Sequence, residues 1–268
     1  VASLAELAPP ALFTLVAWWA STGVILWLVR LPRITHGRTL LGATAVLVAA
    51  LLGLAATRAD TSVTGAYVAF VCTLLVWGWQ EVTFLTGFAT GARDTPCPPG
   101  ARGWRRFGFA TEAILHHELI LALAGLAVVA VTWGGANQLG AWTYALLWTM
   151  RLSAKLNLFL GVRNLNTEFL PEHLRYLASY FVRRPLNLLF PFSVTAATAV
   201  TVLLWSAALG PGATPFEVTG LALLAALATL AVLEHWFLVL PLPAEQLWRW
   251  ALGTPRTDAA AAEARLRG

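Results

Sequence analysis

Apolar residues along this chain gather into seven blocks, at roughly 10–30, 39–57, 63–88, 109–133, 138–162, 187–209 and 215–240, and the stretches between them hold most of the charge. Each block can cross a hydrocarbon core, which takes about 20 residues of helix. The blocks are continuous runs, not the ~10-residue segments of alternating polarity that a membrane barrel shows. Helices also satisfy their own backbone groups segment by segment, as a bilayer without water demands. The pattern predicts an all-α fold, a polytopic membrane helix bundle with about seven transmembrane helices. Residues 1–253 are expected to form this single domain, and the Ala- and Arg-rich segment 254–268 a loosely ordered cytoplasmic tail.

Charge adds an orientation. Of the 18 basic residues, 15 fall in alternate connections: Arg30, Arg33 and Arg38; Arg93, Arg102, Arg105 and Arg106; Arg163, Arg175, Arg183 and Arg184; and Arg249 with the three arginines beyond it. The opposite connections hold only Arg58, while Arg151 and Lys155 lie inside the fifth block. Basic residues near helix ends stay in the cytoplasm, so the N-terminus is expected outside and the C-terminus inside a bacterial inner membrane. A net charge of +5 could suggest a nucleic-acid partner, but this sorting assigns it to topology, and no nucleic acid is expected. Composition agrees: 58% apolar and 12% charged residues depart from soluble domains. Residues 1–10 carry Glu6 and no basic cluster, so the first helix is expected to be retained and not cleaved as a signal. Cys72 and Cys97 lack zinc-motif spacing, and no structural disulfide is expected.

Several connections have a character of their own. Residues 89–108 are rich in Pro and Gly and end in Trp104, Arg105 and Arg106, an interfacial anchor into the fourth helix. Residues 171–184 read as a short helix with Leu174, Leu177 and Phe181 on one side, lying in the membrane surface or packed on the bundle. Leu247, Trp248 and Trp250 read as a further interfacial stretch.

Ionisable groups inside a bilayer are costly and normally face partners within the bundle. Here they are Gln80 and Glu81; Glu112, His116, His117 and Glu118; Arg151 and Lys155; and Glu234 and His235. At ~1.5 Å rise per residue, Glu81, His116, Lys155 and Glu234 reach one depth, about 10 Å from the cytoplasmic face, with Arg151 a turn deeper. Glu112 and His116 share a helix face; Glu118 points away from it. Three readings stand. The first is a structural network of Gln80, Glu81, Glu112, Glu118, Arg151, Lys155 and Glu234. The second is a transition-metal site of Glu81, Glu112, His116, Glu234 and His235, although di-iron bundles use Glu-x-x-His on two helices and this chain has Glu-x-x-x-His once. The third is a pigment site in which His116, His117 or His235 ligates a chlorophyll magnesium among the 13 tryptophans. No phosphate loop, nucleophile elbow or zinc-protease motif is present. Asn164, Asn166, Glu168, Glu172 and His173 either close over the polar layer or form a solvated turn.

The stretches His116-His-Glu-Leu-Ile120, Thr132-Trp-Gly-Gly-Ala-Asn-Gln-Leu-Gly-Ala-Trp142 and Met150-Arg-Leu-Ser-Ala-Lys-Leu-Asn-Leu-Phe-Leu-Gly-Val162 resemble the PuhE family of photosynthetic complex assembly proteins. The resemblance continues through Asn164-Leu-Asn-Thr-Glu-Phe-Leu-Pro-Glu-His-Leu174, Arg184-Pro-Leu-Asn-Leu-Leu-Phe-Pro191 and Leu233-Glu-His-Trp-Phe-Leu-Val-Leu-Pro-Leu-Pro243. It is weaker over the first three helices, where it rests on hydropathy and the Trp18-Trp19 region. It implies a protein of purple-type phototrophic bacteria that helps mature the reaction centre and its core light-harvesting complex, in the cytoplasmic or intracytoplasmic membrane. Handling bacteriochlorophyll and stabilising subunit helices are the two expected routes, and a non-catalytic role is expected. The alternatives are a membrane-embedded, metal-dependent, di-iron-like enzyme acting on a tetrapyrrole or isoprenoid, and a transporter whose Arg151 and Lys155 meet an anionic substrate.

Overall fold

The computed structural model describes residues 2–242 and 244–252; the expected tail 254–268 lies outside the described residues. Among them the chain is helical, without strands. Seven long helices follow one another: α1 (Leu4–Arg30), α2 (His36–Thr57), α3 (Val63–Leu85), α4 (Gly103–Thr132), α5 (Leu139–Leu160), α6 (Leu189–Ala208) and α7 (Pro215–Phe237). A short α8 (Arg249–Leu252) follows. Six of the long helices are apolar enough to cross a membrane; α5 has the length but, with Arg151 and Lys155 inside it, falls short in apolarity. The seven blocks thus correspond to seven long helices, six of them apolar enough on their own.

Local chemistry sets the ends. Thr214 caps α7 by accepting from Glu217 N–H, and Glu217 reaches back to Thr214 N–H at 2.7 Å, with Pro215 in the first turn. Ser62 caps α3 by accepting from Gly65 N–H. Asn187 Oδ1 takes the N–H groups of Leu189 and Phe190 at the start of α6. At the far end of α7, Asn164 Nδ2 donates to Phe237 O at 2.8 Å. On the opposite face, Asn137 joins the α4–α5 turn to the α2–α3 turn: its N–H donates to Arg58 O, and its Nδ2 to Asp60 O and Gly65 O. The contacts at Leu189, Phe190, Thr214, Gly65 N–H, Arg58 O and Phe237 O satisfy backbone groups that a helix terminus leaves open.

The central helices are α3 and α7, with more than half of their apolar spans buried. Helix α3 packs on α2 and α5, and α7 on α6 and α1. Phe70, Val76, Val128 and Leu223 meet in the core between them.

In three places the structure adds to or alters the expectation. Helix α4 begins at Gly103, ahead of its apolar block, and Trp104 stands exposed there. Arg106 is turned inwards, donating to Phe159 O at 2.9 Å and to Tyr180 O. The predicted 171–184 helix is a 3-10 helix, Glu172–Tyr180. With three residues per turn, the face comprises Leu174, Leu177 and Tyr180 in place of Phe181. That face is packed on the bundle, against Phe84 of α3 and Ala113 of α4, and not laid on the membrane surface. The predicted interfacial stretch near 248 docks on α1: Trp248 Nε1 donates to Trp19 O, and Trp250 lies so close to Gly23 that a Cβ there would sit 2.0 Å from its ring.

The α3–α4 connection is also seated on the bundle. His117 N–H donates to Thr90 O at 2.9 Å, and a Cβ on Gly91 would fall 2.1 Å from Glu112 O. A glycine is what lets this irregular backbone approach a helix backbone so closely.

Candidate functional site

Between α1, α3, α5 and α7 lies a cavity of about 450 Å³. Its walls are mostly apolar and aromatic: Phe70, Trp77, Phe84, Met150, Phe159, Leu227, Leu230 and Phe237 contribute. Asn166, Phe169, Leu170 and Leu177 close one end, with Trp248 beside them. Part of the 164–173 cluster thus closes over the interior, while Asn164 serves as the α7 cap.

One level of the cavity is polar. Arg151 Nη2 donates to Glu81 Oε2 at 2.8 Å, Lys155 stands a turn away, and Glu234 faces them from α7. The α3–α5 and α4–α5 contacts set these pairings. Lys155 Nζ donates to Glu118 Oε1 at 2.5 Å, a partner the helix-depth reasoning did not select. Glu234 Oε1 accepts from the Trp18 indole N–H at 2.7 Å and has no ion pair among the described residues. Trp18 is the site residue that pattern reasoning missed, although the Trp18-Trp19 pair was a signal for it. Glu118 was expected in the polar network, but nothing in the local pattern pairs it with Lys155.

Helix α4 divides its four polar residues by face. His117 is buried and stacks on Phe84 with ring centroids 4.3 Å apart; its Nε2 has no hydrogen-bond partner. Glu112 and His116 are exposed on the outer surface, away from the cavity. Gln80 is buried beside this level, donating through Nε2 to the Tyr144 hydroxyl at 2.7 Å, which donates to Leu121 O. His235 is engaged at both ring nitrogens, Nε2 with Ser153 Oγ at 2.9 Å and Nδ1 with Ala231 O at 2.9 Å.

The five residues expected to form a metal site are not brought together, and among the described residues no three His, Cys, Asp or Glu side chains converge to hold an ion. Physical reasons are visible: Glu81 is held by a base, Glu234 by an indole, and Glu112 and His116 face outwards. For pigment ligation, the His235 nitrogens are both taken, the His117 Nε2 is closed in beneath Phe84, and His116 is the histidine open to a group approaching from outside. No histidine opens on the cavity.

Outside the spans, His173 packs against Gly87 in the loop that follows α3. Burial first, and then the nearby charge of Arg33 and His36, hold its imidazole below the usual value of 6.5.

Fold and site together define a multi-pass helical membrane protein built around an internal, largely apolar cavity with one charged level. The chain belongs to the family described as Protein of unknown function (DUF3623), whose model matches residues 4–259. Over 246 residues, 90% of this chain and 89% of the relative, it is 43% identical to an uncharacterized 30.4 kDa protein in the puhA 5′ region of Rhodobacter capsulatus. No solved structure matches the chain.

Proposed function

We propose that this chain is a membrane assembly factor of the PuhE type for the bacterial photosynthetic reaction centre and its core light-harvesting complex. Its proposed location is the cytoplasmic or intracytoplasmic membrane. Seven helices span it in this reading, with the N-terminus outside and the C-terminal segment in the cytoplasm. Helix α5 is included because Arg151 and Lys155 meet carboxylates, and not lipid, which lets a less apolar helix cross. The relative from the puhA region supports a task in the photosynthetic membrane.

The observation that carries the role is the cavity. At about 450 Å³ it falls in the range of roughly 300–1,000 Å³ typical of small-molecule sites, with apolar walls and a few convergent polar groups. A pocket of that character inside a membrane bundle suits a lipid-soluble guest, and part of a bacteriochlorophyll or of one of its precursors is the guest proposed, the rest extending through the open side of the cavity. Arg151, Lys155 and Glu234 are the side chains available to its polar substituents. With no histidine on the walls, the hold proposed is by packing and hydrogen bonding, without metal ligation.

The test is purification of the tagged chain in mild detergent from a pigment-making phototroph, followed by absorption spectroscopy and pigment extraction. A near-stoichiometric pigment is expected, reduced several-fold in Ala154→Phe and Ala231→Phe, which fill the cavity. A colourless protein that still supports complex assembly would overturn pigment handling. Unchanged reaction-centre content in a strain lacking the gene would overturn the assembly role.

A further inference from the structure

A second pocket, of about 340 Å³, opens where α5 and α7 end and α6 begins; Arg163, Arg183, Arg184, Pro185 and Val239 line it. Neither ion pair among the described residues includes any of these arginines. Like charges gathered this way repel one another, and an anion seated among them relieves the repulsion. Guanidinium groups suit phosphate oxygens in particular, since their N–H groups can donate in pairs.

The frame that presents these arginines is hydrogen-bonded throughout. Val182 N–H donates to Leu158 O at 3.2 Å, satisfying a carbonyl at the end of α5, and Val162 N–H donates to Val182 O at 3.1 Å. Arg184 N–H returns to Val162 O at 3.0 Å, making a short parallel bridge. The Arg184 stem lies on Gly161, whose φ is 124°; a Cβ there would meet Arg184 Cδ at 2.8 Å. Asn187 clamps the assembly by donating to Gly161 O at 2.9 Å and Asn157 Oδ1 at 3.0 Å.

Next to the pocket the surface turns apolar. Leu188 is 88% exposed and Phe192 73% exposed, at the start of a helix apolar enough to cross a membrane. Because α6 is read as crossing the bilayer, these side chains face acyl chains, and the pocket opens beside that surface. A soluble anion would engage the arginines alone; an amphiphile with an anionic head engages both. We propose that Arg163, Arg183 and Arg184 bind the headgroup phosphate of an anionic phospholipid whose acyl chains lie along Leu188 and Phe192. This site is separate from the cavity and does not depend on the assembly role.

Native mass spectrometry of the purified full chain tests it, with dioleoyl-phosphatidylglycerol, dioleoyl-phosphatidylcholine, glycerophosphoglycerol without tails, and inorganic phosphate as separate additives. Wild type is expected to retain one phosphatidylglycerol in preference to phosphatidylcholine. The triple variant Arg163→Gln/Arg183→Gln/Arg184→Gln should weaken that retention roughly 100-fold, at about fivefold per arginine. Arg33→Gln/Arg38→Gln/Arg102→Gln removes the same charge elsewhere and should retain the lipid as wild type does. Gly161→Ala keeps every charge but displaces Arg184, and should weaken binding several-fold. Equal loss in the two triple variants, or no preference for phosphatidylglycerol, would overturn the proposal. So would competition by glycerophosphoglycerol or phosphate as effective as that of the whole lipid, because the site would then be one for a soluble anion.

Discussion

Arg151 donates to Glu81 through one terminal nitrogen, while its buried Nε meets no acceptor. Its one ion pair among the described residues is with that carboxylate, so removing either partner leaves the other without its bonded counter-charge in a largely apolar cavity. Breaking a fully buried pair costs about 3–5 kcal/mol, but the Arg151 side chain is 41% accessible, which reduces the expected cost to about 1–3 kcal/mol. Glu81→Gln and Arg151→Met should each destabilise the protein by that amount. The double variant should recover at least half of the summed loss, because no lone charge remains. Denaturant unfolding in micelles completes the cycle, and strict additivity would refute the pairing. That Glu81 and Arg151 lie within about a helical turn of one another was legible from helix rise alone. The bonds from Trp18 to Glu234 and from Lys155 to Glu118 were not. They depend on how each helix is rotated about its axis, and a span apolar on every side carries little information about that rotation.

At the scale of elements, the 3-10 helix Glu172–Tyr180 and the α3–α4 connection form a cap on one end of the bundle. Pro171 and the spacing of the apolar residues announced a short helix. The tighter winding followed from docking, since a three-residue repeat aligns Leu174, Leu177 and Tyr180 on Phe84 and Ala113. His173 makes this cap sensitive to acid. Its folded pKa lies below the unfolded value of 6.5, so between the two the unfolded chain binds more protons. The contribution is neutral above about pH 6.5 and becomes destabilising as pH falls through that value. Thermal unfolding should therefore show the wild type losing midpoint temperature between pH 7.5 and pH 5.5 more steeply than His173→Gln does. Parallel profiles would remove His173 from the account. Helix α5 gives the complementary lesson. Its block was recognisable as a helix, but whether Arg151 and Lys155 are tolerable within it depends on acids supplied by α3 and α4.

For the whole molecule, the proposed orientation makes a strong demand on accessibility. In a variant without native cysteines, Pro211→Cys should react with a membrane-impermeant maleimide in intact spheroplasts. Arg102→Cys and Arg183→Cys should react only after permeabilisation. Labelling of Arg102→Cys and Pro211→Cys from the same side would contradict an odd number of spans between them. Asn137, Asn157, Asn164 and Asn187, all within the stretches that resemble the PuhE family, prove to be joints between helix ends, which ties much of that resemblance to architecture. By itself the amino-acid sequence determined the helical class, the positions of the long helices and the arginine-rich set of connections, because hydropathy and charge act residue by residue along the chain. The cavity, the pairing of its acids and bases, the outward turn of Glu112 and His116, and the arginine pocket beside α6 were decided by tertiary packing alone. Each depends on the rotation and contact of helices distant in sequence, and no local pattern encodes those relations.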